Sequence, residues 1–319
     1  MNKFYILLIF AFSLLLLAGC LDRTMRGQNV QLVEKDHPLV DEIWDVNQAI
    51  YVKKEQFLAQ LPESRYILLG ENHDNISHHV HQSNIISALA KARLAVSVHF
   101  EMIDDAQYEN LKQDEHRNLN ELIDSLNKSD TGWQYERMYK VVFDQVLQAG
   151  YPYRPANLSY ADIRSIIKKG ENNVPGDIKN LLVDVPLSMN KTHELEQEVI
   201  EGHCNALPAS MVPPMMLAQR VRDARMGLSM MDSDMDHRVL IAGNGHVRKD
   251  RGVPMYLAVK HPQEKIMTVG FTEVIAGKHK IDEYKSRWGK KTIPFDYVWF
   301  TPGINRKDPC DDFISKLNK

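Results

Sequence analysis

Tyr66-Ile67-Leu68-Leu69 is a short apolar run that stops at Gly70 and gives way to Glu71-Asn72-His73-Asp74-Asn75. A run this short, closed by glycine and polar residues, reads as a buried strand. The segment that follows, from His79 to Lys91, carries Val80, Ile85, Ile86 and Leu89 at helical spacing. The polar cluster therefore lies in a strand-to-helix loop at the carboxyl end of a strand. Open α/β sheets bind ligands at that edge.

The alternation continues. Leu94 to Phe100 is a second strand ending at Glu101. Arg137 to Gln148 is a helix with Val141, Val142, Val146 and Leu147 on its apolar side, stopped by Gly150. Tyr153 to Leu158 is a weaker strand, and residues 104–130 are polar enough for short helices and loops. Strands return at Val239–Ala242, Ile266–Phe271 and Tyr297–Phe300, with a short helix over Met255–Lys260 between the first two. Pro38 is expected to open a helix, since Val40, Ile43, Trp44, Val46, Ile50 and Tyr51 recur at helical spacing.

Residues 161–234 show no strand but three helical patterns, 161–169, 190–203 and 211–230. The expected fold is α/β: a large domain over 38–160 and 235–319 with a mainly parallel sheet flanked by helices, plus a small all-helical domain over 161–234.

The amino-terminal segment is set apart from this fold. Lys3 precedes the apolar run Phe4–Leu17, and Leu17-Ala18-Gly19-Cys20 closes it. The run is short for a membrane span and ends in small residues, so 1–19 reads as an export signal of the lipoprotein type. Cys20 becomes the lipidated first residue, carrying fatty-acyl chains such as palmitate, and 20–37 a tether to the membrane. Residue 21 is Leu rather than Asp, which by resemblance to Gram-negative lipoproteins favours the outer membrane. The export route permits a bridge between the other two cysteines, Cys204 and Cys310, but leaves two free thiols equally open. A net charge of −3, with no basic stripe, argues against a nucleic-acid partner.

Three strand ends concentrate polarity: Gly70-Glu71-Asn72-His73, Glu101, and Gly243-Asn244-Gly245-His246. In a parallel sheet these ends share one edge, and their glycines permit tight turns and close ligand approach. His73, Glu101 and His246 form a set suited to a divalent metal or to acid–base work, with Glu71 beside them as a base. In the helix after the first loop, His78 and His81 share one face and are expected to be solvated, whereas His79 and Gln82 share another. The helix over 211–230 has an apolar stripe, Leu217, Val221, Ala224 and Leu228, and an opposite face of Gln219, Arg222, Asp223 and Met226. That second face lines either solvent, a cleft or a partner.

These motifs in order resemble the ChaN-type haem-binding lipoproteins of the Tiki/erythromycin-esterase-like superfamily. The matching residues begin with Gly70-Glu71-Asn72-His73-Asp74, His79 with Gln82, and Glu101-Met102. Ala156-Asn157-Leu158, His203-Cys204, and Gln219 with Arg222-Asp223 and Met226 follow. Gly243 to Val247, Gly252-Val253-Pro254 and Tyr297 to Pro302 complete them, across roughly 65–302.

The resemblance implies haem as cofactor, held between two protomers in a homodimer, and a role in bacterial iron uptake beside a TonB-dependent haem or siderophore receptor. Carried over as cofactor-binding candidates are His73, His79, Gln82, Gln219, Arg222, Asp223, Asn244 and His246. An iron-ligating tyrosine is also implied, with Tyr135 and Tyr153 put forward from a group that includes Tyr139, Tyr151 and Tyr160. Other branches of the superfamily look like metallopeptidases or esterases. The alternative is therefore a metal-dependent hydrolase with His73, Glu101 and His246 at the metal and Glu71 as base.

Overall fold

The computed structural model describes residues 31–113, 118–129, 131–288, 292–308 and 310–311. The export signal, Cys20 and most of the tether lie outside the described residues. Among the described residues, no helix is long and apolar enough to cross a membrane.

In chain order, β1 (Leu32–Val33), β2 (Ile43–Asp45), β3 (Ile50–Val52) and α1 (Lys54–Leu58) lead to the central strand β4 (Tyr66–Glu71) and helix α2 (Ile76–Lys91). Then come β5 (Val96–Asp104), α3 (Asp105–Gln113), α4 (Leu119–Asn127), α5 (Lys140–Gln148) and β6 (Tyr153–Asn157). Only helices follow until β7: α6 (Tyr160–Lys169), α7 (Gly176–Asp184), α8 (Met189–Gly202) and α9 (Val212–Met231). The chain returns through β7 (His237–Gly243), α10 (Val253–Lys260), β8 (Ile266–Glu273), β9 (Tyr297–Thr301) and β10 (Gly303–Ile304).

The main sheet has eight strands in the order β3-β2-β9-β8-β4-β7-β5-β6. From β9 to β6 every neighbour is parallel. All six residues of β4 are buried, because helices cover both faces and no residue can face water. Strand alternation divides its side chains. Ile67 and Leu69 join Ile85, Ile86, Val142 and Phe143 on one side. Tyr66 and Leu68 join Met226, Met230 and Leu257 on the other. Burying each such side chain contributes about 1.5–3 kcal/mol.

The helix expected after Pro38 does not form. β2 and β3 make a hairpin in which Ile43 pairs with Val52 and Asp45 with Ile50. β2 in turn lies antiparallel against β9, with Ile43 opposite Trp299. Asp45 Oδ1 accepts the Gln48 N–H at 2.9 Å, and Ala49 takes a positive φ of 53° to close the turn. A sheet edge seeking a partner overrides a local periodicity that two short strands also satisfy.

Helix α9 belongs to two cores. Val221 and Ala224 pack with Ile163, Ile166, Ile178 and Leu181 from α6 and α7, while Met226 and Met230 pack on the sheet. Helix α7 had no counterpart in the sequence pattern, being short and hemmed by Pro175 and Pro186. A disulfide joins Cys204, just after α8, to Cys310, with Cα atoms 5.5 Å apart.

Candidate functional site

The parallel register sets the three polar strand ends side by side. Glu71 pairs with Gly243, and Phe100, the residue before Glu101, with Ile241. The clustered side chains are Glu71, His73, Glu101, Asp223 and His246.

Glu71 is 2% exposed and takes hydrogen bonds from several directions. Tyr139 donates its hydroxyl to Oε1 at 2.6 Å, and His73 Nδ1 lies 2.8 Å from the same oxygen. Gln82 donates to Oε2 at 2.6 Å, with His79 Nδ1 3.2 Å away. Burial raises the carboxyl's proton affinity, but His79 and His73 outweigh it and hold Glu71 well below the ordinary range. Burial likewise works against charge on His73, yet Glu101 and Glu71 raise it overall.

Glu101 is the bridge. Its Oε2 accepts the Gly243 N–H at 2.7 Å and lies 3.9 Å from His73 Nε2, while Oε1 lies 3.3 Å from His246 Nε2. Against the cost of burial, His246 and His73 bring Glu101 down to about 2. A side chain on Gly243 would place its Cβ 3.1 Å from His73 Nε2, so glycine keeps this gap clear. On the far side, Asp223 Oδ1 lies 2.6 Å from His246 Nδ1, and Gln219 Nε2 is 3.1 Å from the same nitrogen. Burial opposes charge on His246, but Glu101 and Asp223 raise it to about 10. Burial pushes Asp223 up to about 6. The proton between them therefore sits on His246 at neutral pH.

Two carboxylate–imidazole pairs, Glu71–His73 and Asp223–His246, thus flank one central carboxylate. The arrangement can hold or move a proton at either Nε2.

The candidate residues take different stations around this cluster. His79 and Gln82 are fully buried and support Glu71 from beneath, so they do not face a ligand directly. Asn244 spends its amide on Phe271 O at 2.9 Å and fixes the turn. Gln219, Arg222 and Asp223 do share the face of α9 that meets the cluster, as their spacing required. His73 keeps 19% of its side chain exposed and has the edge of Trp133 against its ring.

Both expectations of a solvated histidine fail. His78 is fully buried: its Nδ1 accepts the Asn72 N–H at 2.8 Å, leaving Nε2 to donate to Thr301 Oγ1 at 2.9 Å. Burial holds it neutral, well below its usual value. His81 stacks against Phe271 and Trp299 and reaches Asp41 at 3.3 Å. The strands above α2, distant in sequence, cover both rings.

Neither of the two tyrosines put forward from the sequence joins the cluster. Tyr135 is 1% exposed and donates its hydroxyl to Met102 O at 2.6 Å, so its phenol is already committed inside the fold. Tyr153 pairs with Val98, three residues before Glu101 in a parallel neighbour, which sets it ~10 Å toward the opposite edge of the sheet. Tyr139 is the tyrosine in the cluster. It sits at the head of α5, four residues after Tyr135.

The carboxyl-terminal segment braces the first loop, which no local pattern announced. Arg306 donates to both Asp74 oxygens at 2.9 and 2.8 Å and also pairs with Glu273. Asn75 Nδ2 adds bonds to Glu273 and to Pro302 O, each 2.9 Å.

Comparison with known proteins gives this architecture its relatives. A family profile described as haem-binding uptake, Tiki superfamily, ChaN matches residues 57–257. Among solved structures, one on cofacial heme binding to ChaN of Campylobacter jejuni is similar with 21% identity and a TM-score of 0.63, covering 82% of this chain and 97% of that one. A mutant of the erythromycin esterase EreC in its open conformation aligns with 12% identity and a TM-score of 0.45, covering 81% of this chain and 95% of that one. No curated protein sequence matches. The ChaN-like fold places the clustered side chains at the sheet edge, and the profile spans more than half of the residues. The chain belongs to the ChaN haem-binding uptake family of the Tiki superfamily.

Proposed function

We propose that the protein is a lipid-anchored haem carrier of the outer membrane of a Gram-negative bacterium. It works in iron uptake beside a TonB-dependent haem or siderophore receptor and holds haem between two protomers. The observation that carries this reading is the family match over residues 57–257. The Campylobacter jejuni ChaN structure is of cofacial haem binding, which supports the two-protomer arrangement. The signal-type leader ending in Cys20 supports the anchor.

The side chains fit a haem held at a surface. Ferric haem accepts a phenolate ligand. With Tyr135 and Tyr139 committed inside, the most exposed phenol of the candidate group is that of Tyr160, 40% exposed at the head of α6. Arg164 lies 5.4 Å over its ring. The same helical region exposes Val183 and Met189, apolar surface that a flat ligand or a second protomer can cover. The test is titration with haemin, read in the Soret band and in particle size.

A second reading is favoured by the paired carboxylate–imidazole groups. They suit a hydrolase in which Glu71 orients His73 and Asp223 orients His246, each imidazole able to pass a proton at its Nε2. A divalent metal at His73, Glu101 and His246 would have to displace the contacts between Glu101 and both Nε2 atoms. Among the described residues no group of three or more His, Cys, Asp or Glu side chains is arranged to hold a metal ion. Ester hydrolysis lost in His73→Ala supports this reading. An inactive protein, with and without added Mn, Co or Zn, contradicts it.

A further inference from the structure

Every carboxylate of the cluster has its donors. Glu71 has Tyr139, Gln82, His73 and His79; Glu101 has Gly243 N–H and His246; Asp223 has His246. Among the described residues at the cluster, one cation is left over. Arg222 projects from the same face of α9 as Gln219 and Asp223, close enough to Glu101 and Asp223 to feel both charges. Its Nε is buried without a hydrogen-bond partner, and no ion pair with another described residue engages the guanidinium. Part of the side chain remains accessible.

A guanidinium offers five donors in a rigid fork, and leaving it unpaired in a half-buried position is costly. Were Arg222 there only to neutralise Glu101 or Asp223, it would bond to one of them; both are instead satisfied by histidine. The fork geometry of Arg matches a carboxylate, which it binds through two parallel bonds.

We propose that Arg222 anchors a ligand carboxylate at the mouth of this cluster, either a haem propionate or the acid group of a small organic molecule. The propionate source rests on the haem reading above; the carboxylate subsite does not.

The test uses the full chain in detergent, as wild type, Arg222→Gln and Arg222→Lys. Haemin and its dimethyl ester, whose propionates are blocked, are titrated in the Soret band. Thermal stabilisation by acetate is measured against chloride at equal ionic strength. If a propionate is the ligand, wild type binds haemin more tightly than the diester. Arg222→Gln then removes that preference, weakening haemin on the order of ten-fold or more, and Arg222→Lys, which keeps the charge without the fork, falls between. If a small acid is the ligand, acetate stabilises wild type beyond chloride and Arg222→Gln abolishes the effect. The proposal is overturned if folded Arg222→Lys and Arg222→Gln match wild type in both arms, or if wild type shows neither preference. Absence of any Soret change in wild type removes the haem reading alone and leaves the acetate arm decisive.

Discussion

Asp223 Oδ1 and His246 Nδ1 lie 2.6 Å apart, joining helix α9 to the turn after β7. The contact orients the imidazole so that its Nε2 meets Glu101, and it ties the helical region to the sheet edge through a buried charge pair.

This pair makes stability depend on alkaline pH. His246 is raised from 6.5 to about 10, so its bound proton stabilises the fold in full below pH 6.5. That contribution drains away as pH rises through 10. Glu101 is lowered from 4.5 to about 2, so its charge stabilises above pH 4.5 and the effect is lost as pH falls through 2. Urea denaturation between pH 6.5 and 10 is expected to show a steady loss in wild type and a shallower one in Asp223→Asn. Equal slopes would remove the pair from the account.

Glu71 ties α2, α5 and the first loop together. Glu71→Ala leaves His79 and His73 without their shared anion and is expected to cost about 3–5 kcal/mol. Tyr139→Phe removes one hydrogen bond to a charged group and is expected to cost about 2 kcal/mol. Chemical denaturation checks both the size and the order. Two changes within ~0.5 kcal/mol of wild type, as expected for ordinary surface positions, would contradict the network.

Gly70 is required by closeness rather than by backbone angle. A Cβ there would come 2.3 Å from Val247 Cγ2 and 2.5 Å from Asn244 Oδ1. Gly70→Ala must push the β7 turn aside, at a cost of about 1–3 kcal/mol. The His246 imidazole, two residues after Asn244 and directly before Val247, moves with that turn. Thermal melts and the His246 NMR signal report the change together, and an unaltered pair of readings would refute the close contact.

The disulfide closes a separation of 106 residues, for which chain entropy contributes about 4–5 kcal/mol. Cys204→Ser with Cys310→Ser is expected to lower the melting temperature. A reducing agent should do the same to wild type and leave the double variant unchanged. If reduction shifts both equally, the effect lies elsewhere.

What the sequence made legible follows from range. β4 and β7 are short apolar runs ending in glutamate or glycine, and the run into β5 leads to Glu101 before the strand continues to Asp104, so strand, edge and site could be read locally. The Gln219–Asp223 face of α9 was legible because helical spacing fixes it. The misreadings came from distant partners. His78 and His81 look like a wet first turn until Thr301, Phe271 and Trp299 cover them. The hairpin β2–β3 shares its spacing with a helix until β9 arrives. The Arg306–Asp74 brace spans 232 residues, and nothing near Asp74 signals it.

The most direct measurement is a haemin titration of the full chain, followed at the Soret band while particle size is recorded, with Tyr160→Phe alongside. Wild type is expected to shift its Soret band and grow in size at micromolar haemin, and Tyr160→Phe to lose the phenolate signature. A wild-type chain that shows neither a Soret shift nor a size change would contradict the account.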